Sequence, residues 1–484
     1  MSLRVYNTWS KKKEEFTPIE EGKVGMYVCG VTVYDLSHIG HARCYVAFDV
    51  IYRYLQACGY DVNFVRNFTD VDDKIIKRAN ESSQDVTELA TRNIAAYHED
   101  MDALGCLRPN LEPRVTGHVP EIIQLIEKII ANGHAYATDD GSVYFAIDTF
   151  PPYAGLSRRN IEDMVAGASE RVGEDTNKKN PLDFVLWKPS KEGEPSWDSP
   201  WGAGRPGWHI ECSAMSAKHL GETFDIHGGG KDLVFPHHEN EIAQSEAASG
   251  RKFVNYWLHN GFVNIDEEKM SKSLGNFFTI REVMKKYHPE AIRGFLLSTH
   301  YRSPINYSAD NLDEATDRIE YMYETLDKLD KAIAMGGNPG DNLHPDTDKV
   351  HQQIIDAMND DFNAAAALGH LYELFRAAND YVVKKRKLKG RINTLEEMRK
   401  VMGQAAAIFG ILERDPETVL GEIRDRDVAR LELDIAWIDR KLSERAKARG
   451  ARDFAMSDAI RDELAAGKVA VMDTPQGTAW RVMR

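Results

Sequence analysis

The sequence predicts an α/β protein: a doubly wound parallel sheet interrupted by an insertion, followed by a helical bundle and a small C-terminal module. Three observations carry that reading. The first is a βαβ opening, in which a β-prone run from Gly25 to Val33 leads through Ser37-His38-Ile39-Gly40-His41 into a helical pattern lasting to Leu55. Cys58-Gly59-Tyr60 ends the helix, and Asp61 to Phe68 reads as the next strand. The second is a break and a return. From about Asn110 to Arg205 the pattern gives way to a helix, a hairpin-like piece at His134 to Ile147 and a polar stretch rich in Pro, Gly, Ser and Trp. Strand-like Thr223 to Ile226, a glycine turn at His227 to Gly230 and a helix beginning near His237 then restore the βα alternation. The third is the almost purely helical character beyond Asp310, with amphipathic stretches at Ala315 to Ala334 and His351 to Asn379. The breaker Gly336-Gly337-Asn338-Pro339-Gly340 separates them.

A chain of 484 residues exceeds what one core usually organises, and 42% hydrophobic residues suffice for two to four domains. The N-terminus has no apolar run fit for a signal peptide, and no stretch approaches the roughly 20 apolar residues of a membrane span. A cytoplasmic protein is expected. Five scattered cysteines, Cys29, Cys44, Cys58, Cys106 and Cys212, do not form a disulfide framework. They are expected to be reduced and available to a metal. A net charge of −15 argues against holding nucleic acid by bulk electrostatics. Local basic stretches remain at Lys384 to Arg391 and Lys441 to Arg452, each read first as a solvated helix face and otherwise as a nucleic-acid contact. No heptad seam suggests a coiled coil, so a monomer is expected.

His38-Ile39-Gly40-His41 lies where a strand turns into a helix, where free N–H groups and the helix dipole favour an anion. Two imidazoles three residues apart add donors on one face, and Gly40 lets a flat group approach the backbone. Phosphate binding is the natural use; surface histidines without a ligand are the alternative. Some 230 residues downstream, Lys269-Met270-Ser271-Lys272-Ser273 places two cations and hydroxyls in a loop able to close on a departing pyrophosphate. The two motifs, in this order and on either side of a split nucleotide-binding pattern, resemble the signatures of class I aminoacyl-tRNA synthetases.

A third constellation concerns metal. His237 and Glu241 stand four apart on one helix face, Cys29 ends the first strand, and Cys212 closes Trp208-His209-Ile210-Glu211-Cys212. Two thiolates, an imidazole and a carboxylate suit zinc, but with 183 residues between the cysteines and no C-x-x-C, buried unliganded cysteines fit the spacing as well.

Five stretches resemble the cysteinyl-tRNA synthetases: Cys29 to Asp35, Asn67 to Lys74, Arg205 to Ser213, Phe235 to Glu241, and the terminal Asp473-Thr474-Pro475-Gln476-Gly477-Thr478 with Trp480. The resemblance spans the chain. It implies a Rossmann-like catalytic domain in two halves, 1–112 and 205–260, around a connective insertion at 113–204. A linking segment at 261–312, a tRNA-binding helical bundle at 313–405 and an anticodon-binding module at 406–484 would follow. It implies one Zn2+ per chain on Cys29, Cys212, His237 and Glu241, and Mg2+ with ATP. His38, Gly40 and His41 would bind the ATP phosphates, with Lys269 and Lys272 neutralising pyrophosphate. Thr69, Trp208 and Asp232 would line the pocket for L-cysteine, and Trp480 and Arg481 would touch tRNA(Cys). In one departure from the family, Asp360-Asp361-Phe362-Asn363 is followed by three alanines.

Overall fold

The computed structural model describes residues 2–160, 177–265, 268–269, 277–337, 340, 347–383, 388–474 and 477–484. The chain divides into two compact units. The first comprises residues 1–277, 299–305 and 353–367, and the second 278–298, 306–352 and 368–484.

The first unit is organised by four parallel strands: β1 (Lys23–Val28), β2 (Asp61–Arg66), β3 (Phe224–Gly230) and β4 (Val254–Asn260). Their order is β4-β3-β1-β2. In register, Tyr27 of β1 lies beside His227 of β3, which lies beside Trp257 of β4, while Val28 pairs with Arg66. After β1 the chain crosses to one side to form β2, and after the insertion it returns on the other side to form β3. The carboxyl ends of β1 and β3 therefore diverge at a topological switch point, where such sheets bind ligands. Helices α1 (Ile39–Ala57), α2 (Trp208–Leu220) and α3 (His237–Ser249) follow β1, precede β3 and follow β3. The interruption contains helix Val119–Ala131 and a four-stranded antiparallel sheet whose first pair, Ala135–Ala137 with Val143–Phe145, is the hairpin expected at 134–147.

Two expectations are corrected. His227-Gly228-Gly229-Gly230 is not a turn: it is the second half of β3, paired residue by residue with Trp257 to Asn260. Glycine is needed there by packing, because a Cβ on Gly228 would lie 2.2 Å from Cε1 of Phe48 on α1. The helical pattern at 351–379 is also two helices, Thr347–Asn359 and Ala364–Val383. Asp361 and Phe362 break it in the left-handed region, at φ 65° and 52°. Asp361 is held there by Tyr6 N–H (2.8 Å), the Tyr301 hydroxyl (3.0 Å) and Arg302 (2.6 Å), all within the first unit.

α1 also carries a buried guanidinium. Arg43 donates to the carbonyls of His300 (2.7 Å), Tyr301 (3.2 Å) and Ser303 (3.2 Å), fixing the returning segment 299–305. Burial lowers its pKa to about 10.

The second unit is helical, with its longest helix at Ala309–Ala334, and ends in the antiparallel hairpin Val469–Thr474 with Gly477–Val482. The C-terminal Arg484 is buried against Asp427 (2.6 Å), Glu320 (2.7 Å) and Asp317. No helix among the described residues is long and apolar enough to cross a membrane.

Gly228→Ala should lower the thermal midpoint, with an overpacking cost of about 1–3 kcal/mol. Phe48→Leu in the same chain should recover part of it, checked by calorimetry of the single and double variants.

Candidate functional site

β1 ends at Val28, and the chain then passes so close to the strand beside it that no side chain fits: a Cβ on Gly30 would lie 1.5 Å from the carbonyl oxygen of Asn67. The Gly30 N–H is held instead by Asn67 Oδ1 at 2.8 Å. This close approach sets Cys29 at the mouth of the switch point, with its side chain buried. From α2 comes Cys212, and from the first turns of α3 come His237, His238 and Glu241, all buried. Cys29 Sγ is 3.8 Å from Cys212 Sγ and 3.4 Å from Glu241 Oε1, and His237 Nε2 is 3.0 Å from the same oxygen.

Those spans can be compared with a tetrahedral zinc shell. Bonds of about 2.3 Å to sulfur and about 2.0–2.2 Å to nitrogen and oxygen give edges of roughly 3.8 Å for S···S, 3.6 Å for S···O and 3.4 Å for N···O. The first two match within about 0.2 Å, and the His237–Glu241 edge is contracted to a hydrogen bond. Cys29, Cys212, His237 and Glu241 thus fit a zinc ion with little movement. A second quartet, Cys29, His227, His238 and Glu241, also brings its donor atoms within 4.8 Å of one another. Two thiol donors favour the first for zinc.

The protonation pattern follows from burial and pairing. Glu241 is fully buried, which alone would raise its pKa, yet His227 Nε2 at 2.8 Å and His237 hold it well below the usual carboxylate range. Burial opposes charge on His237 too, but Glu241 and Cys212 outweigh it and raise its pKa to about 10. The hydrogen bond from Cys29 draws Cys212 down to about 6, whereas burial pushes Cys29 up. Of the two thiols, Cys212 is the one whose environment favours the thiolate.

Four histidines around this quartet were not singled out from the sequence. His227 holds the outer oxygen of Glu241; His238 Nε2 is 3.3 Å from Cys29 Sγ and its Nδ1 is 2.8 Å from His259 Nε2. His259 reaches Thr8 Oγ1 (2.8 Å), and His209 Nδ1 lies 2.9 Å from His237 Nδ1. Burial depresses the pKa of His209, His238 and His259, the last to about 3. The histidines on β3, β4 and the helices converge only through parallel register, which leaves no spacing to read.

The start of α1 is capped by its own histidines. His38, the N-cap, accepts the Gly40 N–H through Nδ1 at 3.1 Å, and His41 Nδ1 accepts the His38 N–H at 3.2 Å. Their rings stack with centroids 3.7 Å apart. Because both Nδ1 atoms accept, each neutral ring carries its proton on Nε2. The helix start thus presents two imidazole N–H groups beside the main-chain donors of its first turn.

The remaining expected residues fall as follows. Trp208 opens α2 and stacks on His237 (4.3 Å, 28°), which puts it against the metal-fitting quartet. Thr69 is buried and donates to Glu211 Oε2 at 3.0 Å. Asp232 is exposed on the short turn Lys231–Val234 after β3. Lys272 lies outside the described residues, as does the side chain of Lys269, whose backbone pairs with Asn264. Trp480 packs on the small core of Ile438, Ile460, Leu464 and Val469, with Arg424 over its ring at 5.4 Å, and Arg481 beside it is exposed. In the basic stretch 441–452, Arg445 is buried in a bidentate pair with Asp473 (2.8 and 2.9 Å) that Arg449 joins at 2.6 Å. Lys384 to Lys387 lie outside the described residues.

Comparison with known proteins places this site in context. Residues 15–317 match the family of class I (C) tRNA synthetase catalytic domains, 353–413 match the DALR domain, and 438–481 match the cysteinyl-tRNA ligase anticodon binding domain. The chain is 52% identical to the cysteine–tRNA ligase of Pelobacter propionicus and 53% identical to that of Trichlorobacter lovleyi, covering 100% of both chains in each case. Among solved structures, it is similar to Mycobacterium tuberculosis methionyl-tRNA synthetase with methionyl-adenylate, at TM-score 0.63 and 18% identity over 83% of this chain and 93% of that one. It is also similar to a LeuRS–tRNA complex from Agrobacterium radiobacter, at TM-score 0.58 and 11% identity over 82% of this chain and 85% of that one. At such identities these two speak for the fold alone, whereas the full-length matches settle the lineage: the chain belongs to the cysteine–tRNA ligase family of class I aminoacyl-tRNA synthetases.

Proposed function

We propose that the chain activates L-cysteine with ATP and transfers it to the 3′ end of tRNA(Cys), acting as a cytoplasmic monomer. The observation that carries this reading is the buried Cys29-Cys212-His237-Glu241 quartet at the switch point, in the unit that holds the self-capped start of α1. The family match supplies the reaction class.

In this reading the quartet holds zinc, and zinc supplies selection of a thiolate over a serine hydroxyl. Cysteine and serine differ by one atom, and a pocket of shape alone separates such near-isosteres by only about 10²-fold. Trp208, stacked on His237, forms a wall of the amino-acid pocket, with Asp232 at its exposed edge. Thr69 holds Glu211 and so shapes that pocket from behind. The amino-acid carboxylate attacks the α-phosphorus of ATP in line, and pyrophosphate leaves with Mg2+. His38 and His41 donate from Nε2 to the phosphates, and Gly40 lets the nucleotide approach the backbone. Lys269 and Lys272 neutralise the departing pyrophosphate. No enzyme nucleophile is required, because positioning and charge stabilisation carry the acceleration. The 2′ hydroxyl of the terminal adenosine then attacks the cysteinyl-adenylate carbonyl and AMP leaves.

The remaining division of labour is proposed as catalytic halves 1–112 and 205–260, insertion 113–204 and linking segment 261–312. The bundle 313–405 braces the tRNA, and the module 406–484 reads its anticodon. Arg481 is the exposed contact, and Trp480 offers a partly covered ring edge.

Cysteine-dependent exchange of labelled pyrophosphate into ATP tests the reading directly. Exchange with cysteine and not serine, abolished by zinc removal and restored by zinc, is expected; equal exchange with serine would defeat the selection argument. Elemental analysis should find about one zinc per chain, falling on Cys212→Ser, and full retention would overturn the ligand set. A third test separates capping from chemistry. Asparagine is as good an N-cap as any residue, so His38→Asn should keep the thermal midpoint while exchange falls by about 10²–10³-fold through loss of the Nε2 donor.

A further inference from the structure

Away from this site, two more imidazoles meet. His118, just before helix Val119–Ala131, and His219, in the last turn of α2, bring their Nε2 atoms to 3.0 Å. The rings are tilted at 64°, and both side chains are half-buried and open to solvent. His118 Nδ1 is 2.7 Å from the carbonyl oxygen of Arg114. A carbonyl only accepts, so Nδ1 carries the proton and Nε2 of the neutral ring carries a lone pair aimed at His219. That is the arrangement by which metal-binding histidines are oriented, the second nitrogen tied to a backbone carbonyl.

We propose that His118 and His219 form a second, solvent-accessible site for a divalent transition-metal ion, independent of the buried quartet. The present N···N span is that of a hydrogen bond, whose place a bound ion would take. With metal–imidazole bonds of roughly 2.0–2.1 Å, a 3.0 Å separation subtends about 90–97° at the ion. This is near the cis angle of square-planar or octahedral coordination, and widening the pair by about 0.3–0.4 Å reaches the tetrahedral angle, so the two imidazoles suit Ni2+, Cu2+ or Zn2+. Water completes the shell.

Glu121 supports the site. It stands one turn after His118, and Lys218 pairs with its Oε1 while Oε2 is buried with no hydrogen-bond partner. The Lys218 pair holds the Glu121 carboxyl low, and Glu121 acts on His219 against burial and the charges of His118 and Lys218. Those opposing effects, burial first, lower the His219 pKa and keep that ring available as a ligand near neutral pH. The chelate would clamp the start of the insertion's first helix to the far end of the helix that carries Cys212, seven residues before His219.

The probe is Ni2+ alone, titrated calorimetrically into tag-free, zinc-loaded full-length protein in a non-chelating buffer. One saturable Ni2+ beyond the resident zinc is expected, with a rise in thermal midpoint. His118→Gln and His219→Gln should each weaken that binding by at least about tenfold, leaving zinc content and cysteine-dependent exchange unchanged. The His118 side chain makes no capping bond to its helix, so neither variant removes a cap. Wild-type protein with half an equivalent of Cu2+ should also show an electron-spin resonance pattern of two nitrogen ligands, which needs no variant. No saturable Ni2+ in the wild type, undiminished binding in either variant, or an oxygen-only copper spectrum would overturn the proposal.

Discussion

The site hangs on the burial of one carboxylate. Glu241 is inaccessible to solvent, and an isolated charge there would cost several kcal/mol. It is tolerated because His227 and His237 each give it a hydrogen bond, at 2.8 and 3.0 Å. Those partners come from different elements, β3 and α3, and the contact continues to Cys29 after β1 and Cys212 on α2. A carboxylate compensated this way fixes the relative positions of two strands and two helices. Removing either histidine would leave one oxygen of a buried carboxylate short of its strongest partner, so the quartet and its histidine shell depend on one another.

The second constraint is close approach. Gly30 cannot carry a side chain beside Asn67, nor Gly228 beside Phe48. Both glycines lie toward the carboxyl ends of neighbouring parallel strands, on the side from which α1 leaves the sheet. There His38 and His41 spend their Nδ1 lone pairs on the first turn, and this fixes which nitrogen keeps the proton. Capping and donor orientation are one interaction, and the helix start is set before any ligand arrives.

These dependencies explain what could be read in advance. The helix start at His38 to His41 was legible because a strand-to-helix junction is local, and the βαβ order was legible from periodicity. Cys29 and Cys212 needed resemblance, since nothing local joins residues so far apart. His227 and His259 were missed because they sit on strands whose pairing is not local, and His238 because its partners Cys29 and His259 are far away in sequence. The glycine run was misread as a turn because its strand character rests on β4 and on the Phe48 ring, neither of which is local. The break at Asp361 and Phe362 was missed for a similar reason: tertiary partners of Asp361, and not a Gly or Pro, hold the left-handed backbone there.

Basic residues were the least informative signal, and their fate bears on the proposed tRNA partner. In the terminal module, Arg445 and Arg449 are spent on Asp473, Lys441 is paired with Glu463 at 2.7 Å, and Arg484 is buried among three acids. The Asp473 pairs tie a helix to the hairpin, Lys441 ties that helix to the next, and Arg484 ties the chain end to two others, so these cations are not on offer to phosphate. Arg440, Lys447, Arg452, Lys468 and Arg481 remain exposed in that module, on a chain of net charge −15. Each phosphate contact contributes about −0.7 to −0.9 to the slope of log affinity against log salt. Four or five such contacts would set a slope of about −3 to −4, and because phosphate contacts carry no sequence information, specificity must come from shape and from unpaired bases.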